Sequence, residues 1–579
     1  MTKGPVAIWK AKPLPSPTEI AQLQANLALD EKILILLLQR GIRSFNEARN
    51  FFKPSLDQLL NPFLMKDMDL AVNRVQAAID KAEKILIYGD YDVDGTTAVS
   101  LMARFLEPHY SNFETYIPDR YKEGYGVSKL GIDYAHEKGI QLIIALDCGI
   151  KALEKVDYAK SKGIDFIICD HHTPGPEIPQ AVAVLDPKRK DCKYPYKGLS
   201  GCGVGFKLCQ ALNEKWQGEP EQLWPLLDLL ALSIGADIVP MDGENRTLAY
   251  FGLKRINSAP SDGIAALLKS SGIRKSNYDI GDLVFTLAPR INAAGRLEHG
   301  QKAVDLLRGS DLSLLPDIAQ EIESRNLARK KLDRSIFKEA LAQVESHIPA
   351  ENFSTLVFQK DWHKGVIGIV ASRLIEVYYR PTIVLTQSGD KLAGSARSVQ
   401  GFDLYRALEA CEDHLLQFGG HPAAAGMTLL PERLNDFKAA FETAVAQQIK
   451  PEQRRAQHEY DLEVKAEELD DKFYRLLQRF APYGPENLSP LLLCRGLKDV
   501  GSRLVGEDQK HLKLSLVDER SGLILDGIGF NLGSRLDLLK YGTSLAVLFH
   551  LELNVFRDRA SLQIRALDIK ADETLNDKK

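Results

Sequence analysis

Four short apolar runs in the first half of the chain each lead into an acidic residue or a histidine. They read ILIYGD, LIIALD, FIICDHH and LSIGAD. None of them alternates with polar residues, and a segment of helical pattern follows each run, so we expect buried parallel strands of a βαβ sheet. Ligands bind outside the carboxyl ends of such strands. Residues that end four separate runs are therefore predicted to meet in one crevice.

The first run ends in three aspartates spaced two residues apart, Asp90, Asp92 and Asp94, which are followed by Gly95. In an extended segment the two-residue period turns all three carboxylates to one side, where they repel one another. A bound cation would stabilise this arrangement, so the segment is predicted to be a metal site. A loop of solvated aspartates is the alternative for an isolated D-x-D pattern.

The later runs add further metal-binding side chains: Asp147, then Asp170, His171 and His172, then Asp237. Carboxylates with imidazole, and without paired cysteines, favour Mn²⁺ or Mg²⁺ over zinc. Two such ions joined by a bridging carboxylate generate hydroxide and stabilise an in-line phosphoryl displacement. The sequence therefore predicts phosphoester hydrolysis. For the two histidines, a polar strand end with ordinary hydrogen bonds is the alternative.

The composition is typical of a multidomain cytoplasmic enzyme. The 579 residues are 45% hydrophobic and 26% charged, enough for about three or four domains. Seven scattered cysteines without a CxxC pattern predict reduced thiols, and Cys148 and Cys169 are interpreted as small core residues rather than nucleophiles. We expect no membrane span and no signal peptide, and the run ILILLL at 33–38 is predicted to be a buried helix.

Eight motifs resemble those of a known enzyme family. GDYDVDG, LDCG, CDHH and GADIVP are similar, in order and spacing, to the four motifs of the DHH phosphoesterases. The resemblance continues, toward the bacterial exonucleases of that family, through PRINAAGR, HKGVIGIVASRL, GSARS and GGHPAAAG. No departure at a metal-ligand position is visible. The resemblance covers the chain from about residue 84 to residue 426.

The resemblance implies a ligand set for two Mn²⁺ or Mg²⁺ ions, bridged by one shared carboxylate. The implied ligands are Asp92 and Asp147 for one ion, and Asp94, Asp147, His171 and Asp237 for the other. His172 would face the scissile phosphate instead of an ion. Asp90 would line the site as a further candidate ligand.

Arginines are suited to phosphate because the planar guanidinium donates two parallel hydrogen bonds. Arg290 and Arg296 bracket a stretch that we interpret as turn-like. By the resemblance, the pocket for a 5′ phosphate would be formed by Arg120, Arg296, Ser395 and Arg397, and His421 would contact the substrate near the metals. Surface salt bridges are the alternative for the arginines, and a capped core histidine is the alternative for His421.

The predicted fold class is α/β: a parallel-sheet DHH domain and a second α/β domain, DHHA1, joined by a long helix, with a C-terminal β-barrel of the OB-fold type. The expected segments are an N-terminal helical segment at 1–80, the DHH domain at 81–259, a helical connector at 260–347, the DHHA1 domain at 348–450 and the OB-fold at 451–579. The barrel is expected from strand-like runs at 511–517, 523–530, 544–554 and 561–569.

A net charge of -4 does not by itself indicate a nucleic-acid binder. The clearest basic stretch is SRNLARKKLDRSIFK at 324–338, which could follow phosphates along one face of a helix. A solvated face of a connecting helix is the alternative. For the barrel, single-strand binding and a structural or protein-binding role remain equally open.

The resemblance implies a metal-dependent exonuclease that degrades single-stranded DNA from 5′ to 3′ to mononucleotides, in recombination and mismatch repair. A single-strand-binding protein and a helicase are the implied partners. Two alternatives remain. A related phosphodiesterase would cleave oligoribonucleotides, cyclic dinucleotides or pyrophosphate. A non-catalytic single-strand-binding scaffold would have lost metal ligands, whereas all five ligand positions are occupied here.

Overall fold

The computed structural model describes residues 6–120, 122–297, 300–539, 542–556 and 559–573. Their contacts divide the chain into two compact units. The first unit comprises residues 49–329 and 480–488. The second unit comprises residues 1–48, 330–479 and 489–579.

The amino-terminal stretch contains a strand and three helices: β1 (Ile8–Ala11), α1 (Pro17–Asn26), α2 (Glu31–Leu38) and α3 (Phe45–Phe52). The predicted buried helix is confirmed, because α2 carries the ILILLL run and all six of these side chains are buried.

The first unit is built on a five-stranded sheet. Its elements in this part are α4 (Met68–Asp80), β2 (Lys84–Gly89), α5 (Val93–Leu106), β3 (Phe113–Tyr116), α6 (Lys129–Glu137), β4 (Ile140–Leu146), α7 (Leu153–Ser161), β5 (Asp165–Cys169) and β6 (Ala183–Leu185). The strand order is β3-β2-β4-β5-β6, and every pairing is parallel.

Strand β2 explains why the apolar runs lack polar alternation. Ile85 and Ile87 pack into one hydrophobic core, whereas Leu86 and Tyr88 pack into another. Because both faces of the sheet are covered, the buried positions in the middle of the strand are apolar on both sides. The prediction of buried parallel strands is confirmed for the first three runs.

Helices follow the sheet: α8 (Gly201–Lys215), α9 (Leu227–Ala236), α10 (Gly243–Ser258), α11 (Asp262–Ser271), α12 (Ile280–Asp282), a π-helical turn (Leu283–Leu287), α13 (Ala288–Leu297) and α14 (Gln301–Arg308). The fourth apolar run was predicted to be a strand, and this was wrong: LSIGA forms the end of α9, and Asp237 follows its last residue. Residues Leu227 to Gly235 are all buried. A helix that is buried all round has no polar face, so periodicity cannot distinguish it from a buried strand.

The stretch PRINAAGR was predicted to be turn-like, and this was also wrong, because it lies within α13. Pro289 directly follows the π-helical turn Leu283–Leu287, and such an irregular turn is a common accompaniment of a proline that removes a hydrogen bond within a helix. Gly295 is needed for packing, since a Cβ there would lie 2.6 Å from the carbonyl oxygen of Tyr91. Both residues suggested a turn from composition alone, and each has a role compatible with a helix.

Helix α15 (Leu315–His347) is the predicted long connecting helix, 33 residues in length. It begins in the first unit and ends in the second. The basic stretch at 324–338 lies within it.

The second unit contains a mixed five-stranded sheet of order β10-β11-β9-β8-β7, in which only β7 and β8 pair in parallel. Its elements are β7 (Thr355–Phe358), α16 (Ile367–Tyr378), β8 (Thr382–Ser388), β9 (Lys391–Arg397), α17 (Leu404–Glu409), β10 (Gln417–His421), β11 (Ala424–Leu429) and α18 (Leu434–Gln448).

The second unit ends in the predicted barrel. The elements are β12 (Gln457–Tyr460), β13 (Leu462–Glu463), α19 (Asp471–Gln478), β14 (Leu492–Asp499), β15 (Arg503–Val505), β16 (His511–Asp518), β17 (Ile524–Gly529), α20 (Leu536–Leu539), β18 (Leu545–Phe556) and β19 (Arg559–Ala571). The order is β13-β14-β18-β19-β17-β16-β15, and a further pairing of β14 with β16 closes the sheet. Strand β1 pairs in parallel with β12. Within the described residues, no helix has the length and apolar character needed to cross a bilayer.

Candidate metal centre

The three clustered aspartates are not in an extended segment, so that expectation was wrong. Asp90 follows β2, Asp92 is the N-cap of α5, and Asp94 lies in the first turn of this helix. Asp92 Oδ1 accepts a hydrogen bond of 3.1 Å from the N–H of Gly95. A Cβ on Gly95 would lie 2.4 Å from the carbonyl oxygen of Asp90. The glycine therefore allows the helix to start immediately after the strand.

Asp147 follows β4 in a left-handed backbone conformation, with φ of 58°. Its N–H donates to the carbonyl oxygen of Cys169 on the next strand, at 2.9 Å. A Cβ on Gly201 would lie 2.5 Å from Asp147 Oδ1. Because Gly201 has no side chain, the Asp147 carboxylate can occupy this position.

His171 brings three of the predicted ligands together. Its Nε2 lies 3.2 Å from Asp147 Oδ1, 3.4 Å from Asp237 Oδ2 and 3.8 Å from Asp94 Oδ2. Its Nδ1 lies 3.1 Å from the carbonyl oxygen of Leu199, which fixes the ring orientation. A proton on Nδ1 leaves the Nε2 lone pair facing the carboxylates.

Asp94 is held from the opposite side by the first turn of α8. The N–H groups of Gly201 and Cys202 donate to its Oδ2 and Oδ1 at 2.6 Å and 2.9 Å. The hydroxyl of Ser233 donates to Oδ1 at 2.7 Å, and Ser233 contacts Ser200 at 2.7 Å. These donors orient the carboxylate at a helix N-terminus, where negative charge is stabilised.

Asp170 organises the loop that carries the two histidines. Its Oδ1 accepts from the N–H of His171 and His172 and lies 2.7 Å from His172 Nδ1. Its Oδ2 accepts from the N–H of Ile150 at 2.9 Å. On the other side of the ring, His172 Nε2 lies 3.0 Å from the hydroxyl oxygen of Tyr125. The chain Asp170, His172 and Tyr125 points the imidazole into the site.

The pKa values of the clustered carboxyl groups are raised. Burial is the main cause for Asp90, whose pKa rises to about 8, and for Asp237, whose pKa rises to about 9. Burial raises the pKa of Asp147 well above its usual range, and the charges of Asp94 and Asp92 raise it further. Bringing so many carboxylates together without a cation is therefore unfavourable.

The histidine environments differ. Burial lowers the pKa of His171, despite the attraction of Asp94, so the neutral ring that metals bind is favoured. Burial opposes protonation of His172, but the hydrogen bond and charge of Asp170 outweigh it and raise the pKa of His172. Burial would raise the pKa of Asp170 as well, yet the hydrogen bond and charge of His172 lower it to about 2.

The donor set fits divalent cations. Ligand atoms of Asp94, His171 and Asp237 lie within 4.8 Å of one another, as do those of Asp147, His171 and His172. Asp147 Oδ1, His171 Nε2 and Asp237 Oδ2 are buried and have no hydrogen-bond partner among the described residues. A buried polar atom without a partner is costly, and a cation shared by these atoms removes that cost.

The raised pKa values predict that metal stabilises the protein more as pH rises. Without metal, the stability due to neutral Asp90 and Asp237 is fully present below the usual carboxyl pKa of 3.8 and is lost as pH rises through about 8 and 9. Metal binds the deprotonated groups. We therefore expect the increase in Tm on adding Mg²⁺ to grow between pH 6 and pH 9. Thermal denaturation with Mg²⁺ and with EDTA measures this.

Asp237→Asn is the control for this titration. It removes the carboxyl group with the higher of the two pKa values, so the pH dependence of the Mg²⁺-induced Tm shift should flatten. A shift in the wild-type protein that shrinks with rising pH contradicts the metal assignment.

Three predicted substrate-binding residues lie on neighbouring strands of the second unit. Ser395 and Arg397 are on β9, and His421 ends β10; Ala424 of β11 pairs with both Arg397 and His421. Arg397 Nη1 donates to Ser395 Oγ at 3.0 Å. A Cβ on Gly368 would lie 2.9 Å from Arg397 Nη2 and from Ser395 Oγ. The structure therefore brings these three together within their unit.

The other predicted phosphate ligands are in the first unit. The guanidinium carbon of Arg120 lies 5.0 Å from the ring centroid of Tyr91. Arg296 lies in α13, and its side chain is outside the described residues. Arg290 is buried and forms an ion pair with Glu323, so its guanidinium has a structural role in the protein interior.

Sequence reasoning missed two contributors to the site and the role of a third. Asp170 was predicted among the metal-binding side chains, whereas the distances show both of its oxygens in hydrogen bonds that orient His172 and its loop. Tyr125 and Ser233 carried no recognisable signal. A tyrosine between two glycines and a serine near the end of an apolar run are too common in sequences to indicate a site.

Three family models match the chain. They are the DHH family N-terminal domain at residues 84–234, the DHHA1 domain at 351–447 and the RecJ OB domain at 460–568. The predicted fold class is confirmed by these matches.

Curated relatives match over most of the chain. The single-stranded-DNA-specific exonuclease RecJ of Bacillus subtilis (strain 168) is 36% identical, over 96% of this chain and 70% of the relative. The Escherichia coli (strain K12) protein of the same name is 33% identical, over 91% and 94%. Among solved structures, RecJ of Thermus thermophilus in complex with Mn²⁺ has a TM-score of 0.82 at 26% identity, covering 98% of this chain and 80% of that one. The same protein in complex with Mg²⁺ gives a TM-score of 0.76, covering 98% and 79%.

Proposed function

The chain belongs to the RecJ family of single-stranded-DNA-specific exonucleases, and from this membership we propose that it hydrolyses single-stranded DNA from the 5′ end to mononucleotides. It is a metal-dependent nuclease of the DHH class, and Mn²⁺ or Mg²⁺ is the cofactor. The observation that carries the proposal is the convergence of Asp94, Asp147, His171 and Asp237, with three ligand atoms left without protein partners.

We assign the ligands as follows. Asp94, His171 and Asp237 hold one ion, and Asp92 with Asp147 holds the other. Asp147 would bridge the two ions, because its Oδ1 lies 3.2 Å from Nε2 of His171, a ligand of the first ion, and its carboxyl is close enough to Asp92 to feel that charge. Ions bound there supply the activated water and neutralise the charge that develops on the phosphoryl oxygens.

The residues around the ions position the substrate. His172 keeps its proton because Asp170 accepts from Nδ1, so the ring can donate from Nε2 to an oxygen of the scissile phosphate. Tyr125 now contacts that nitrogen, and its hydroxyl supports the ring until the substrate takes its place. Arg120, Arg296, Ser395 and Arg397 bind the terminal phosphate in this proposal, and His421 contacts the strand near the ions.

Loss of the Asp170 carboxylate should slow the reaction without emptying the metal site. Asp170→Asn leaves the shape unchanged but weakens the hold on His172, and such residues around metal ligands contribute about 10- to 100-fold to activity. We expect kcat to fall by about that factor, with Mn²⁺ still raising Tm. Steady-state kinetics and thermal denaturation test both parts. A variant that no longer responds to Mn²⁺ contradicts the assigned role.

Arg397→Ala should reduce selection for a phosphorylated end. Arg397 is half-buried, and this partial burial lowers the pKa of its guanidinium, so an anion is the partner that best compensates its charge. We expect the ratio of kcat/KM for 5′-phosphoryl over 5′-hydroxyl strands to fall about 10-fold. Arg406→Ala, an exposed arginine of the same unit, is the matched control. Equal losses on both strands would exclude Arg397 from the pocket.

The direct test of the proposed reaction uses 5′-labelled single strands. The label should be released as a mononucleotide at the earliest times, with duplex DNA resistant. A 3′ label should remain on long fragments. Preferential cleavage of dinucleotides or cyclic dinucleotides, the alternative substrates, would contradict the proposal. The alternative of a non-catalytic scaffold predicts no release at all.

We also propose a cytoplasmic location, and a single-strand-binding protein and a helicase as partners. The seven cysteines are all free and buried, as expected in a reducing compartment. The domain limits 81–259, 348–450 and 451–579 are likewise proposed, and limited proteolysis would test them.

A further inference from the structure

A cavity of about 860 Å³ lies in the second unit, where the ends of α15 and α16 meet the turn Pro451–Arg454. Its volume is within the range of pockets that bind small molecules. The lining residues include none of those assigned above to the ions or to the terminal phosphate. The cavity is therefore a second place at which this chain could bind a ligand.

Three arginines line the cavity: Arg380, Arg454 and Arg455. Arg380 is only 8% exposed, and its Nη1 donates to the carbonyl oxygens of Pro349 and Asn352 at 3.1 Å and 2.9 Å. Within the described part of the chain, none of the three has a carboxylate oxygen within 4.0 Å. A buried cation without a counterion is unusual, since burial of a charge is costly unless it is paired.

Aromatic rings hold two of these guanidinium groups. The guanidinium carbon of Arg454 lies 4.2 Å from the ring centroid of Phe353, and that of Arg380 lies 5.3 Å from the ring centroid of Tyr378. Stacking on a ring fixes the plane of an arginine while its N–H groups remain directed outward from the edge. The two arginines are thus oriented for hydrogen bonds to a planar or tetrahedral anion.

Charges of both signs lie near Arg380. Burial lowers the pKa of Arg380, the charges of Glu442 and Glu351 oppose this effect, and the charge of Arg454 adds to it. Glu442 is occupied by the N–H groups of Phe353 and Ser354. Glu345 also lines the cavity. A bound anion would relieve the repulsion between the two arginines.

We propose that this cavity binds a nucleoside 5′-phosphate, either a free mononucleotide or a nucleotide within a strand. The phosphate lies between Arg380 and Arg454. Arg455 is at the rim, where its Nε and Nη2 donate to the carbonyl oxygen of Val6 at 3.0 Å and 2.9 Å. The base packs against Tyr378 or on the free face of the Arg454 guanidinium. An acidic peptide would satisfy the charges, but it would leave the aromatic wall and the stacked guanidinium plane unused. The site does not depend on the proposed reaction, since no residue is shared.

The test is a titration of the full chain with deoxyadenosine monophosphate by calorimetry, in EDTA, so that the metal centre does not contribute. The titration is done in the Arg397→Ala variant, because this change disables the proposed pocket for the terminal phosphate. We expect saturable binding in that variant. Deoxyadenosine, which lacks the phosphate, should bind at least about 10-fold more weakly.

Arg454→Glu is the decisive variant, and Arg406→Glu is its control, with the same change of charge on an exposed residue of the same unit. Arg454→Glu should weaken binding at least about 10-fold, whereas Arg406→Glu should not. If the Arg454→Glu variant does not fold, nucleotide binding is measured with Arg454→Gln instead. Exonuclease kcat should remain within about twofold of wild type in all three.

A 5′-hydroxyl oligothymidylate distinguishes the two possible ligands, a free mononucleotide and a nucleotide within a strand. Binding of the mononucleotide alone identifies a free nucleotide, and binding of the oligonucleotide alone, also weakened by Arg454→Glu, identifies a strand. Nucleotide binding that is unchanged in Arg454→Glu and Arg454→Gln overturns the proposal. So does binding of a polyglutamate peptide without binding of either nucleotide probe.

Discussion

Asp147→Asn is expected to abolish hydrolysis while the protein stays folded and retains part of its affinity for single strands. As the proposed bridging ligand, Asp147 serves both ions, so its loss should lower kcat by more than about a thousandfold. Asparagine adopts the left-handed conformation that Asp147 requires, with φ of 58°, more readily than alanine. Asp147→Ala should therefore be equally inactive but less stable.

Stability distinguishes a lost ligand from a lost fold. In EDTA above pH 8, Asp147→Asn should melt at or above the wild-type temperature, because one of several repelling carboxylates has been removed. The control is Asp228→Asn, which changes a fully buried carboxylate that binds Leu229 and Ser261. This control should lose stability but retain turnover. Wild-type turnover by Asp147→Asn would refute the assignment of two ions.

Gly201→Ala is expected to lower kcat by more than about a hundredfold although it adds only one carbon atom. The new Cβ would lie 2.5 Å from both Cβ and Oδ1 of Asp147, a distance that requires the carboxylate to move. The N–H of the same residue binds Asp94, so both ligands are displaced together. Kinetics at saturating Mn²⁺, together with the Mn²⁺ concentration needed for half activity, measure the effect.

Gly203→Ala, two residues further along α8, is the matched control. Its nearest neighbour would be Ser200 Oγ at 3.3 Å, a contact that a small side-chain shift can accommodate. Alanine is also favoured over glycine in a helix by about 1 kcal/mol. Activity should be close to wild type, with Tm unchanged or raised. If both variants were equally active, the packing of Gly201 on Asp147 would have no catalytic importance.

The sequence was sufficient to predict the sheet and the convergence of its strand ends. Residues 142–146 of β4 are all apolar because both faces of the sheet are covered there, and this leaves a clear signal. The run before Asp237 carries the same signal for a different reason, since α9 is buried all round. Only the backbone hydrogen bonds distinguish the two cases, and the order of apolar residues does not reveal them.

Side-chain geometry was the part that the sequence could not provide. Asp92 and Asp94 were predicted to be ligands, but the start of α5 between them changes the directions of their carboxylates. The role of Asp170 depends on four hydrogen-bond donors that come from its own loop and from the loop after β4. Tyr125 is 47 residues from its partner His172, and nothing in the sequence links the two.

The pairing of β1 with β12 has a consequence for synthesis on the ribosome. Lys12 contacts Asp461, 449 residues later, so β1 has no partner until β12 has been translated. At elongation rates of about 5 to 20 residues per second this delay is roughly 20 to 90 s. The parallel sheet of the first unit, by contrast, is complete once β6 emerges. A nascent chain therefore has time to form its nuclease centre before β12 is synthesised. During that time β1 is unpaired and accessible to chaperones and proteases.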